Sequence, residues 1–158
     1  MESLYPNRKA LRIPDYDYSQ CNVYFLTACV SGRESIFWLR RKLCDYEIPL
    51  SDIGIVVKNC IEEIPLRYEA VAVEKYCIMP DHVHLMLSIG SDGDGRPMVA
   101  PTVSRVVQQF KGAVTKRIGR PIWQKSFYDH IIRNDADYLT CWQYIENNPL
   151  KYEVTPCL

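Results

Sequence analysis

The chain of 158 residues has no excess of charge of either sign, because 19 basic side chains balance 19 acidic ones. The whole-molecule field therefore offers no general attraction to nucleic acid, and any site for a polyanion must be a local patch. The sequence also has no apolar signal core at its start and no apolar run of 18 residues. We therefore predict a soluble, cytoplasmic protein without a membrane segment.

Cysteine is present but not in a pattern that indicates a metal knuckle or a disulfide framework. The seven cysteines are odd in number and none forms a close CxxC pair, which favours a reducing compartment. With 47% apolar residues and no internal repeat, the chain predicts one domain over residues 1–158. Within it we predict an N-terminal arm at 1–21 and a flexible, Gly- and Asp-rich loop at 90–101.

Hydrophobic periodicity and turn residues predict an alternation of strands and helices. The predicted strands are residues 22–30, 70–79, 82–89 and 126–133. The predicted helices are residues 51–68, 102–119 and 135–148, the last one ended by a proline, and residues 31–50 form a connector with a small hairpin. This order is typical of an α+β, ferredoxin-like (RRM-like) split βαβ fold, with an antiparallel sheet and an added C-terminal helix.

Histidine is scarce, yet two of the three histidines stand one residue apart in the apolar run "MPDHVHLML". In a strand, His82 and His84 share one face, with Val83 on the other. Buried imidazoles without partners are costly, so such a pair favours a metal, a phosphate or a carboxylate nearby. Two hydrogen-bonded histidines without a function are about equally expected from the spacing alone.

The last predicted helix carries a tyrosine outside its apolar stripe of Tyr138, Leu139, Trp142 and Ile145. Tyr144 has a mostly polar set of helical neighbours, Thr140, Cys141, Asn147 and Asn148. A tyrosine with an amide one turn away is a candidate nucleophile beside a ligand. An ordinary surface tyrosine is the more common explanation of this pattern.

Residues 102–133 have a local excess of positive charge, with seven basic residues against one acidic residue. Phe110, Trp123, Phe127 and Tyr128 are interleaved with these charges. Basic groups bind phosphates and aromatic rings stack on unpaired bases, so the segment favours single-stranded nucleic acid. A solvated helix face above core aromatics explains it about equally well.

Three blocks of the sequence resemble the HUH single-tyrosine transposases of bacterial insertion sequences and their REP-associated relatives. The blocks are "MPDHVHLML", "QQFKGAVTK" and "WQKSFYDHIIRNDADYLTCWQYIENNPLKY", and the resemblance extends from about Tyr24 to Tyr152. It implies that His82 and His84 hold a divalent ion, Mg²⁺ or Mn²⁺, and that Tyr144 is the catalytic tyrosine. Asn148 stands where the insertion-sequence branch has a glutamine ligand, and its side chain is one methylene shorter.

The resemblance further implies metal-dependent nicking and joining of single-stranded, hairpin-flanked DNA through a 5′-phosphotyrosine, and it allows a homodimer. The DNA-binding candidates are Arg105, Lys111, Lys116, Arg117, Lys125 and Arg133. A non-catalytic module for single-stranded nucleic acid on an RRM-like fold is the alternative, although the RNP1 pattern is lacking. His130 is a candidate either for a phosphate contact or for a structural hydrogen bond.

Overall fold

The computed structural model of the chain describes residues 22–39, 50–90 and 101–153, with side chains described as far as residue 148. The predicted arm at 1–21, residues 91–100 of the predicted loop and residues 40–49 of the predicted connector lie outside these ranges. The strands are β1 (Asn22–Cys29), β2 (Val71–Ile78), β3 (His82–Ile89) and β4 (Tyr128–Ile132). The helices are α1 (Asp52–Glu62), α2 (Ile64–Arg67), α3 (Val103–Ile118) and α4 (Asp135–Glu153), and a 3₁₀ turn covers Ser31–Arg33.

The four strands form one antiparallel sheet in the order β2-β3-β1-β4. This order is that of the split βαβ arrangement, so the predicted α+β fold class is confirmed. The turn at Pro80–Asp81 joins β2 and β3 as a hairpin. No helix in the described ranges combines the length and the hydrophobicity that a membrane span requires.

One face of the sheet packs against α1 and α3. Leu26, Val83 and Leu85 alternate along their strands and belong to the same buried cluster as Val57 of α1 and Phe110 of α3. Ser51 and Thr102, the first residues of two predicted helices, are the N-caps of α1 and α3. The Ser51 hydroxyl accepts a hydrogen bond from the Gly54 amide at 3.1 Å, and the Thr102 hydroxyl accepts one from the Arg105 amide at 3.2 Å.

The opposite face of the sheet is covered by α4. Phe25 and Met86 from the sheet form a second buried cluster with Cys141 and Ile145 from the helix. Because both faces are covered, the alternate row of β3 that carries the histidines is buried as well. His84 in particular has no exposed surface.

Two predicted helix ends were wrong, and both involve proline. The predicted helix at 51–68 breaks at Glu63, because Pro65 fits only in the first turn of a helix, and it therefore opens the separate helix α2. The predicted stop before Pro149 is absent, and α4 continues to Glu153. A proline removes one backbone hydrogen bond from a helix, which bends the helix without having to end it.

The predicted apolar stripe of α4 was also partly wrong. Leu139 is 57% exposed, whereas Cys141, which we had placed in the polar row, is only 3% exposed. Tyr138 and Trp142 pack against the second cluster as predicted, with Ile145 inside it. The face turned to the sheet is therefore rotated toward Cys141, and this rotation brings Tyr144 closer to the sheet than the sequence suggested.

Candidate active site on the face of the sheet under α4

The two histidines point at each other on the α4 side of the sheet. The strand register places His84 opposite Thr27, and His82 opposite Cys29. The Nε2 atoms of His82 and His84 lie 3.1 Å apart, and their rings are arranged edge to face with centroids 4.7 Å apart. The structure thus brings together the pair that the sequence singled out.

Each imidazole uses its other nitrogen to contact a neighbouring polar side chain. His82 Nδ1 lies 2.6 Å from a carboxylate oxygen of Asp81, and His84 Nδ1 lies 2.8 Å from the Thr27 hydroxyl. A carboxylate only accepts, so His82 Nδ1 carries a proton and donates it to Asp81. The Thr27 hydroxyl can donate to His84 Nδ1 or accept from it. The other Asp81 oxygen accepts from Arg33 Nε at 2.9 Å, which holds the carboxylate in place.

Burial favours the neutral form of both imidazoles. It lowers the pKa of His82, and this effect outweighs the hydrogen bond and the charge of Asp81, which raise it. Burial lowers the pKa of His84 well below its usual value, with further lowering from the charges of His82 and Arg33. Neutral imidazole is the form of histidine that binds metals, so the pair is in a ligand-competent state at neutral pH.

The donor set fits a divalent ion. Two ligand atoms that share one first-row ion at about 2.1 Å are roughly 3 Å apart, which is close to the separation of these Nε2 atoms. The contacts of Nδ1 with Asp81 and Thr27 are of the kind that orient metal-bound histidines. The buried Asn148 amide nitrogen has no hydrogen-bond partner among the described residues, but an N–H group is a donor, so Asn148 would bind an ion only through its side-chain oxygen.

Tyr144 packs against His84, one member of the histidine pair. Its ring centroid is 5.2 Å from that of His84 in an edge-to-face arrangement, and Phe25 packs against both rings at 5.9 Å and 5.3 Å. By contrast, Tyr138 stacks on Trp142 at 6.0 Å, and its hydroxyl donates to Glu74 at 3.3 Å, toward β2. Of Tyr138 and Tyr144, both on α4, the structure places Tyr144 and not Tyr138 beside His84.

The six DNA-binding candidates differ in their surroundings. Arg105, Lys116 and Arg117 are on α3, which packs on the sheet face opposite to the histidines. Arg117 is 2.6 Å from Glu63, and the half-buried Lys111 donates to the carbonyls of Gln124 and Ser126 at 2.9 Å each. Lys125 and Arg133 are exposed.

Two of the aromatic rings interleaved with these charges serve the core. Phe110 is buried, and Trp123 packs against it with ring centroids 5.6 Å apart. The buried Phe110 is therefore not available to stack on an unpaired base. Phe127 and Tyr128 are half-buried, so they remain candidates for such stacking.

Sequence reasoning missed the residues that hold the histidines. Asp81 could have been found, because it directly precedes His82 and a carboxylate is a common partner of a metal-bound imidazole. Thr27 and Arg33 gave no such signal, since Thr27 reaches its partner across 57 residues and Arg33 reaches Asp81 across 48. A separate cluster of His130, Asp137 and Cys141 has potential ligand atoms within 4.8 Å of one another. Its Asp137 carboxylate accepts from His130 Nε2 at 2.8 Å.

The lowered pKa values of His82 and His84 predict that the metal-free protein is sensitive to acid. Unfolded histidines titrate near pH 6.5, so below that pH the unfolded chain binds more protons than the folded one. The two histidines therefore do not reduce the free energy of unfolding above about pH 6.5. This free energy decreases as the pH falls from 6.5 toward the lower pKa values that the histidines have in the folded state. In chelator, the urea midpoint should drop between pH 7.5 and pH 5.0, and less so in a His82→Ala, His84→Ala variant. An equal drop in both proteins would contradict this prediction.

Comparison with known sequences assigns the chain to a protein family. Residues 39–148, more than half of the chain, match the family described as "Transposase IS200 like". An uncharacterized protein of Haemophilus influenzae (strain KW20 / Rd) is 30% identical over 166 residues, covering 93% of this chain and 91% of that protein. A second protein of the same strain, provisionally named a REP-associated tyrosine transposase, is 27% identical over 144 residues, covering 86% of this chain and 74% of that protein.

Solved structures show the same fold. A REP-associated tyrosine transposase bound to a REP hairpin superposes with a TM-score of 0.67 at 21% identity, covering 91% of this chain and 76% of that one. A protein of Deinococcus radiodurans, provisionally described as a transposase, gives a TM-score of 0.52 at 18% identity, covering 86% and 95%. With the match over residues 39–148, the resemblance seen in the sequence is confirmed: the chain belongs to the IS200-like family of single-tyrosine transposases.

Proposed function

We propose that this protein nicks and rejoins single-stranded DNA by a transesterification in which Tyr144 is the nucleophile. The observation that carries the proposal is the position of the Tyr144 ring over His84, whose Nε2 faces that of His82 at 3.1 Å. The half-buried phenol of Tyr144 supplies a nucleophile, and the two buried imidazoles beside it supply a place for a cation. Membership of the transposase family agrees with this chemistry.

A divalent ion, Mg²⁺ or Mn²⁺, would be held by His82 and His84 through Nε2, with Asn148 as a candidate third ligand. When bound, such an ion polarises a non-bridging phosphate oxygen and offsets the charge that develops on it. Imidazole nitrogens suit manganese better than magnesium, so Mn²⁺ should support the higher activity. Asp81 and Thr27 contribute by holding the two rings in their orientation.

All the atoms that the reaction exchanges belong to Tyr144 and to the DNA strands. The Tyr144 oxygen forms a bond to phosphorus and gives up its proton, while the bond from phosphorus to the 3′-oxygen breaks and that oxygen leaves as a 3′-hydroxyl. The 5′-phosphate stays on Tyr144, and attack by another 3′-hydroxyl reverses the step and releases the tyrosine. Because the covalent intermediate keeps the phosphodiester energy, no nucleotide cofactor is needed.

The proposed substrate is single-stranded DNA next to a hairpin. Support comes from the solved relative that is bound to a REP hairpin. Contacts with phosphate are assigned to the exposed candidates Arg105, Lys116, Lys125 and Arg133. Lys111 and Arg117 are left out, because each already contacts groups of the protein. A homodimer is compatible with this proposal, and Tyr144 then serves either its own histidine pair or that of the partner.

The proposal is tested by incubating the full chain with a set of single-stranded hairpin oligonucleotides and Mn²⁺. The expected result is a protein band shifted by the mass of the cleaved strand and resistant to boiling in detergent, together with a free 3′-hydroxyl product. Chelator should prevent both. Tight binding of the same oligonucleotides without any covalent product would instead favour the non-catalytic module on an RRM-like fold.

Charge reversal at two exposed positions of α3 should change the salt dependence of DNA binding. Each phosphate contact on a single strand contributes about −0.7 to the slope of log K against log salt, so Arg105→Glu with Lys116→Glu should flatten that slope by about 1.4. A matched control with the same change in net charge is Lys58→Glu with Arg67→Glu, on the exposed surfaces of α1 and α2. Fluorescence anisotropy titrations over a salt series decide the point, and equal slopes for the two variants would remove Arg105 and Lys116 from the interface.

A further inference from the structure

The carboxylate of Asp137 connects the N-terminal end of α4 to the sheet by hydrogen bonds. Asp137 accepts hydrogen bonds from His130 Nε2 at 2.8 and 2.9 Å and from the Arg133 amide at 3.3 Å. Its own amide donates to the Asn134 side chain at 2.8 Å, which caps the helix. His130 belongs to β4, so this contact joins the helix to the edge of the sheet.

Asp137 lies on the same face of α4 as the proposed nucleophile. Residues 137, 141, 144 and 148 are spaced by four, three and four positions, which places them in one row along a helix. Cys141, in the middle of the row, is buried against the sheet. At one end of this row, Asp137 is hydrogen-bonded to His130 on β4. Two turns further along the row, Tyr144 packs against His84 on β3.

A small rotation of this helix would have a large effect at the tyrosine. The phenolic oxygen of a helical tyrosine is roughly 9 Å from the helix axis, so a rotation of about 10° moves it by about 1.5 Å. A misplacement of about 1 Å can cost a reaction on the order of 100-fold in rate. The contacts on the other side of the helix, from Tyr138 to Glu74 and from Trp142 to Lys75, join α4 to β2, whereas Asp137 joins it to β4 at the opposite edge of the sheet.

We propose that His130 and Asp137 are positioning residues, which set the rotation of α4 and thereby aim Tyr144 at the histidine pair. This inference rests on the proposed role of Tyr144 and assigns His130 a hydrogen bond to the catalytic helix in place of a phosphate contact. Neither residue needs to touch the DNA for this role. Their effect should therefore appear in the rate of the chemical step and in the dynamics of α4, and not in the affinity for the substrate.

The test compares His130→Phe, which keeps an aromatic ring and loses the donor, with His130→Gln, whose side-chain amide restores a donor. By hydrogen exchange, His130→Phe should raise the exchange of the α4 amides between residues 138 and 148 by about tenfold and leave α1 and α3 unchanged. Single-turnover adduct formation should slow by about 10- to 100-fold at an unchanged oligonucleotide Kd. His130→Gln should recover most of both losses. Tyr68→Phe, which removes the hydroxyl that donates to Gln109 on the opposite face of the sheet from α4, is the matched control.

The outcomes separate this inference from the proposed function. Unchanged exchange of α4 in His130→Phe overturns the inference, whatever the activity of the protein. Faster exchange with an unchanged adduct rate shows that the contact does not aim Tyr144 and also overturns it. A weaker Kd at an unchanged rate would return His130 to the phosphate-contact role. If the wild-type chain forms no adduct at all, the proposed function fails, and the aiming role fails with it.

Discussion

Tyr144→Phe should abolish the covalent attachment of DNA to the protein. Phenylalanine keeps the ring that packs against His84 and Phe25, so the substitution removes only the oxygen that would attack phosphorus. Loss of a nucleophile typically costs several orders of magnitude in rate, and adduct formation should fall by more than about 10⁴-fold. The measurement is adduct yield over time with a single-stranded hairpin oligonucleotide and Mn²⁺.

The control for this experiment is Tyr138→Phe, which removes a hydroxyl from the same helix. That hydroxyl donates to Glu74 and not to the histidine site, so the variant should form adduct at close to the wild-type rate. Thermal unfolding, Mn²⁺ affinity and oligonucleotide affinity should be nearly unchanged in both variants. Adduct formation by Tyr144→Phe, or its loss in Tyr138→Phe alone, would refute the assignment.

Removal of both imidazoles, in a His82→Ala, His84→Ala variant, should have the second largest effect. Changes to the partners of metal-bound histidines already cost about 10- to 100-fold in metal affinity, so loss of two ligands should weaken Mn²⁺ binding by more than about 100-fold. DNA cleavage should disappear with the metal. Isothermal titration calorimetry measures the first effect, and gel analysis of the cleaved strand measures the second.

His130→Gln is the matched control for the metal measurement, because it removes the third histidine and leaves the pair intact. It should bind Mn²⁺ as the wild type does, and it should retain most of the cleavage activity. Unchanged Mn²⁺ affinity in the double alanine variant would contradict the metal role of His82 and His84. Loss of Mn²⁺ binding in His130→Gln would move the metal site to the cluster of His130, Asp137 and Cys141.

The histidine pair was predictable because it depends only on the two-residue period of a strand. Its supporting residues were not, since they depend on strand register: Thr27 lies opposite His84 only because β1 pairs with β3 in one particular alignment. No local pattern specifies that alignment. The fold class followed from the order of elements, which needs the type of each element but not its ends, and this is why the errors at Pro65 and Pro149 did not affect it.

The rotation of α4 about its own axis was the hardest feature to predict. Apolar residues at 138, 139, 142 and 145 define a plausible face, but Cys141 is small, and its burial depends on how closely the helix approaches the sheet. The actual face turns Leu139 outward and brings Tyr144 to His84. The basic segment was ambiguous for a similar reason. Sequence alone does not distinguish an aromatic ring that fills the core from one that is exposed and can stack on a base. Phe110 is a ring of the first kind.

The most direct test of the account is to locate the DNA on the protein. The adduct formed by the wild-type chain would be trapped, digested with nuclease and protease, and sequenced by tandem mass spectrometry. The account predicts a residual 5′-phosphonucleotide on Tyr144 and none on Tyr128 or Tyr138. A nucleotide on either of those tyrosines, or an unmodified Tyr144 peptide in a chain that has cleaved its substrate, would contradict it.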